Sequence, residues 1–229
     1  MQRLKDITVR GSDEDVVRNL TTIAVKLAEF DRIVPTLPVD DFMGIAAKRL
    51  LAYQANELNA AALCLRIDLH AFAWRVRNIF EGFLLLEYTT KSAQNAKIFV
   101  AQKIADERTI LEGVLSLDPT NQLDKTEITR RKDKATAVLA KHGINKASPW
   151  RVDFLAAQTN HSSEYGAFYK LYSKYVHPSA WTILSAADEY NNKDYWEVFI
   201  IQAQLYGHMS VGCAEAFLAT RGKFQRKDA

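Results

Sequence analysis

Turn-forming residues are scarce in this chain: 9 glycines and 5 prolines in 229 residues. A sandwich or barrel of short strands needs a turn about every 8–12 residues, so a many-stranded β fold is excluded. Cysteine is scarcer still. Cys64 and Cys213 are the 2 present, both inside long apolar helical patterns. They are too few for a disulfide framework or a cysteine metal site, and they read as buried reduced thiols of a cytoplasmic protein.

Long hydrophobic runs are also missing. The longest candidate, Ile79 to Tyr88, is broken by Glu81 and Glu87, and nothing approaches the ~20 apolar residues of a membrane helix. The opening MQRLKDITVRGSDED has no apolar stretch, so neither a signal peptide nor a membrane partner is expected. Nor is there a dominant charge. With 30 Lys and Arg against 27 Asp and Glu the net charge is +3, compatible with RNA or nucleotide binding without requiring it. No phosphate-cradling glycine loop and no G-x-S-x-G elbow occurs, so no cofactor is expected. The five histidines, His70, His142, His161, His177 and His208, show no H-x-x-x-H spacing. Glu81 with His177 would supply only two ligands, and no metal site is assigned.

What the chain does have is helical periodicity. Ser12, with Asp15 three residues on, reads as a capping box before Val16, Leu20, Ile23, Leu27 and Phe30, up to a break at Pro35–Pro38. Asp40 is placed to cap a second helix reaching about Arg66. A third, Leu69 to Thr89, is apolar on most sides and carries Phe72, Trp74, Val76, Ile79, Phe80 and Phe83. Such a helix is central in a fold. A fourth runs from near Ser92 to about Leu117, with Ile98, Ile104, Ile110, Leu111 and Leu115 as its inner face. After a loop at Asp118–Asp124, a thinly apolar fifth, Lys125 to His142, stops at Gly143. Its Arg130, Arg131, Lys132 and Lys134 form either a solvated face or a nucleic-acid contact.

Ser148-Pro149 opens a short sixth helix. Ser162 or Ser163 caps a seventh, and Ser179 an eighth through Ala187. The last covers about Asp194 to Arg221 and is apolar enough to serve a homodimer contact as well as the core. These patterns predict an all-α fold: a compact multi-helix bundle of eight or nine helices, one domain over residues 1–229, with a basic, frayed tail at 221–229.

Two constellations stand out. Arg77 and Glu81 lie four apart, on one face of the central helix. Burial of that helix costs several kcal/mol for each charge left unpaired. Their mutual bond satisfies only part of the five guanidinium donors, so another helix must bring polar partners. On the seventh helix, Tyr169, Ser173 and His177 also recur every four residues and stop at Pro178. At about 100° per residue, Tyr165, Phe168, Tyr172 and Val176 face the core, Lys170 and Lys174 face away, and the row falls between. It marks either the structural edge of a core helix or a binding edge. Trp74, Trp150, Trp181 and Trp196 read as core or helix-contact anchors.

RNIFEGF (Arg77 to Phe83) with YKLYSKYVHPS (Tyr169 to Ser179) resembles a family of helical bacterial proteins of unknown function. Its members pair an Arg-x-x-x-Glu helix with a later Tyr-x-x-x-Ser-x-x-x-His-Pro-Ser helix. The resemblance implies that Arg77, Glu81, Tyr169, Ser173 and His177 meet in one pocket. A looser likeness is to the HEPN superfamily, whose metal-independent ribonucleases carry Arg, four to six residues, then His. Here Lys170 and Lys174 precede His177, and Arg66 and His70 are separated by only three residues. Two functions follow as expectations. One is a binding module whose pocket holds a small anionic or nucleotide-like ligand. The other is a HEPN-like enzyme cleaving RNA or another phosphodiester, with His177 and Arg77 as catalytic groups.

Overall fold

The structure, a computed structural model, describes residues 7–33, 41–116, 125–141, 143, 150–186 and 192–222. The expected break at Pro35–Pro38, the Asp40 cap, the Asp118–Asp124 loop, His142, the Ser148-Pro149 start, Ala187 and most of the basic tail lie outside these residues. Regular structure among the described residues is all helical, with no strand: α1 (Asp13–Ile33), α2 (Phe42–Cys64), α3 (Leu69–Lys91), α4 (Ala93–Ser116), α5 (Lys125–Lys141), α6 (Val152–Gln158), α7, α8 (Ala180–Leu184) and α9 (Lys193–Thr220). Helix α7 has three consecutive pieces, α-helical Ser162–Glu164, π-helical Tyr165–Tyr169 and α-helical Lys170–Val176. No described helix is long and apolar enough to cross a membrane.

Local chemistry sets the helix ends. At α1 the capping box closes as expected, Asp15 N–H donating to Ser12 Oγ (3.3 Å) and Ser12 N–H to Asp15 Oδ2 (3.0 Å). Asp41 caps α2 by accepting from Gly44 N–H, and Ser179 caps α8 by accepting from Thr182 N–H. At α7 the cap differs from expectation: His161 occupies the position without a side-chain cap, and Ser162 is already helical. Gly143, at φ 66, donates its N–H to Ala140 O, as a glycine closing a helix does. Helix α2 stops before Arg66, which takes φ 59. Ion pairs to Asp13 and Glu197 and the Trp196 ring hold it there, offsetting a left-handed conformation that costs about 1–2 kcal/mol in an L-residue.

Helices α1, α2, α3 and α9 pack around one core, with the α4–α5 hairpin against α2 and α3 and α6 and α7 against α3. The middle of α3 is sealed: Phe72, Val76, Ile79, Phe80 and Leu84 are fully buried. The apolar surface of α9 packs on α1, α2 and α3.

Three expected core faces need correction. The buried seam of α4 is Ala96, Ala101 and Ala105 with Leu111, while Ile110 is exposed; Ala101 and Ala105 pack with Leu139 of α5, where small side chains leave room for the neighbouring helix. In α7 the buried pair is Tyr172 and Tyr175, with Tyr165, Phe168 and Val176 only partly covered. The π-turn adds a residue to one turn, so the pieces before and after it no longer share one regular wheel. Trp74, expected in the core, is 53% exposed. Trp150, Trp181 and Trp196 do make helix contacts, packing on Phe99, Tyr175 and Phe72. Both cysteines are free and half-buried, and burial pushes the Cys213 thiol up to about 12.

Candidate functional site

The central helix carries Arg77 on a face that α7 covers. Its side chain is 16% exposed, and Nε donates to Glu81 Oε1 at 2.7 Å, one turn on. The polar partners supplied by a second helix are Tyr169 and His177. Arg77 Nη2 donates to Tyr169 OH at 2.8 Å, and the guanidinium carbon lies 4.9 Å from that ring's centroid. Tyr165 packs on the far partner of this contact, its ring centroid 4.6 Å from that of Tyr169, so the π-turn backs the tyrosine that faces the guanidinium.

His177 follows the last turn of α7 with extended backbone, φ −117 and ψ 146. Pro178 enforces that conformation. The imidazole is exposed, and its Nε2 lies 3.3 Å from Arg77 Nη1. A guanidinium can only donate, so for this contact to be a hydrogen bond Nε2 must accept, which leaves a ring N–H on Nδ1.

Four of the five expected residues therefore meet: Arg77, Glu81, Tyr169 and His177. Ser173 makes no hydrogen bond to these four among the described residues. Its hydroxyl donates to Lys170 O at 2.8 Å, back onto its own helix, because a helical serine can satisfy itself on the preceding turn. Arg66 and His70 do not form an alternative pair: Arg66 binds Asp13 and Glu197, while His70 Nδ1 lies 3.0 Å from Tyr175 O.

Several hydrogen-bond donors of this cluster are unspent. Arg77 Nη1 and Nη2 each use one of two N–H groups. No described acceptor takes the Tyr169 O–H or the His177 Nδ1–H. Burial raises the Tyr169 phenol above its ordinary value, with Arg77 opposing and Glu81 adding to the rise, so the hydroxyl keeps its proton. Glu81 Oε2 accepts from no described residue. Lys170 and Lys174 lie exposed on the outer side of α7.

Two polar groups beside the site escaped the sequence reading. Glu57, nearly buried on α2, accepts from Arg75 Nη1 (3.3 Å to each oxygen) and from Asn78 Nδ2 (3.0 Å). Burial, Glu57 and Glu81 together push the Tyr53 phenol up to about 12. A signal existed, since Glu57 falls in phase with Leu50, Gln54 and Ala61 on the buried stripe of α2. At the other end of α7, His161 Nδ1 faces Glu164 Oε1 and Nε2 faces Glu87 Oε2, both at 3.2 Å. Both nitrogens must carry protons for both contacts to be hydrogen bonds. The Glu87 contact holds the imidazole above its ordinary value against the effect of burial, with Glu164 assisting. No group of three or more potential metal ligands occurs among the described residues.

On helix α5, Arg130 forms a two-bond ion pair with Glu127, and Arg131 reaches Glu107 on α4. Part of its positive charge is thus neutralised locally.

The profile of DUF5677, a family of unknown function, matches residues 49–194. The chain belongs to that family. The matched span includes Arg77, Glu81, Tyr169, Ser173 and His177. No curated protein and no solved structure is significantly similar to the chain.

Proposed function

We propose that the α3–α7 cluster binds a small anionic, nucleotide-like ligand, with Arg77 as the anchor. One observation carries this reading: guanidinium, phenol and imidazole converge with donors left over, the complement of an acceptor-rich anion such as phosphate. Arg77 is held on three of its nitrogens, so little side-chain freedom is lost when a ligand arrives. Lys170 and Lys174 add attraction at longer range. Ser173, spent on its own helix, is left out. The test is thermal unfolding with inorganic phosphate and with pyrophosphate. At 100-fold excess over Kd a ligand adds about 2.7 kcal/mol, or about 5–11 °C in Tm for a chain of this size. Arg77→Gln should abolish the shift, and an equal shift in that variant refutes the proposal.

A second reading draws on the guanidinium–imidazole contact at 3.3 Å. Arg and His adjacent in space, although 100 residues apart in sequence, would suit HEPN-like, metal-independent phosphodiester cleavage. His177 would be the general acid/base and Arg77 would stabilise developing negative charge. Purified protein incubated with total RNA and a chelator decides it. Cleavage that resists chelation and vanishes in His177→Ala establishes the enzyme, while cleavage shared by both proteins marks a contaminant.

A further inference from the structure

Trp74 is the feature of α3 that core packing does not explain. It is 53% exposed on a helix whose centre is otherwise sealed. At about 100° per residue, His70, Trp74, Arg77 and Glu81 fall within roughly 60° of one another, on one face. The residues bracketing Trp74 on that face both touch the end of α7. His70 Nδ1 lies 3.0 Å from Tyr175 O, and Arg77 Nη1 lies 3.3 Å from His177 Nε2. Trp74 stands between them along the helix, about 4.5 Å from Arg77 at about 1.5 Å per residue. The half-open indole therefore shares this face of α3 with Arg77, about one helical turn away.

We infer that Trp74 is the stacking platform for the base of a nucleotide whose phosphate lies at Arg77 and His177. The inference rests on the anion-site reading above and deepens it by naming the ligand class. A base offers a π-face that an exposed indole covers regardless of sequence, and its phosphate supplies the acceptors that the Arg77, Tyr169 and His177 donors lack. One such stack is worth roughly fivefold to 150-fold in Kd.

The experiment is calorimetric titration of the full chain with adenosine 5′-monophosphate and with ribose 5-phosphate, which has the same anion without a base. The wild type should bind the nucleotide at least roughly fivefold more tightly. Trp74→Ala should erase that advantage and leave ribose 5-phosphate unchanged, while Trp74→Phe keeps part of it. A short single-stranded RNA in a third titration separates the sources: tighter binding than the mononucleotide assigns a strand, weaker binding a free nucleotide. An advantage absent from the wild type, or surviving in Trp74→Ala, overturns the stacking role while leaving anion binding standing. Failure of both small ligands to bind the wild type overturns the anion site and the stacking role together.

Discussion

Replacing Arg77 with Met keeps much of the stem and removes the charge. Glu81, 27% exposed, then loses its 2.7 Å partner, and Tyr169 loses a donor. Breaking a buried ion pair from one side costs about 3–5 kcal/mol. The residual water access of Glu81 reduces that to about 2–3 kcal/mol, including the phenol's lost bond at about 1 kcal/mol. At about 2–4 °C per kcal/mol for a chain of this size, Tm should fall by about 4–12 °C. Glu81→Leu in the same background supplies the control, because removing both charges removes the stranded one. The double variant should therefore be more stable than Arg77→Met alone, with a coupling energy of about 1–3 kcal/mol. Urea and thermal unfolding of the four proteins measure this. An Arg77→Met midpoint within about 1 °C of wild type, or a strictly additive double variant, would refute the argument that α7 is held through a desolvated guanidinium.

His161 gives a pH prediction. Its folded value is raised above the ordinary 6.5, so its contribution is complete below about pH 6.5 and is lost as pH rises through the folded value. Glu87 behaves oppositely. Burial pushes it up, but His161 and Lys91 outweigh burial and hold it below 4.5, so its share is lost only as acid passes through that lowered value. The stability advantage of wild type over His161→Gln should peak between about pH 4.5 and 6.5; an equal advantage at about pH 5.5 and about pH 9 would rule out a charged imidazole. Gly82→Ala tests the α2–α3 contact. A Cβ there would lie 2.9 Å from Gln54 Nε2 and 3.3 Å from the Tyr53 ring, and Gln54 is pinned by bonds to Ile79 O and Ser210 Oγ. Overpacking costs about 1–3 kcal/mol, partly offset by alanine's helix preference of about 1 kcal/mol; stability at or above wild type would show that Gln54 yields.

The sequence alone determined the helical class, most helix spans, the central place of α3, and the need of Arg77 and Glu81 for a polar partner on another helix. These follow from short-range physics: apolar spacing, capping side chains such as Ser12 and Ser179, and the cost of an unpaired charge on a buried helix. Only the tertiary structure decided the rest. The π-turn at Tyr165–Tyr169 re-phases α7, so the wheel that put Val176 inside instead buries Tyr175, and nothing in YGAFY announces that extra residue. The alanine seam of α4 was hidden because close approach is a property of two helices, whereas large aliphatic residues dominate a one-helix pattern. Ser173 turned to Lys170 O because a local bond was available at no cost in chain entropy. His161 found Glu87 74 residues away, and Trp74 stayed half in water beside Arg77, because which face of a helix a neighbour covers is settled by packing between segments distant in the chain.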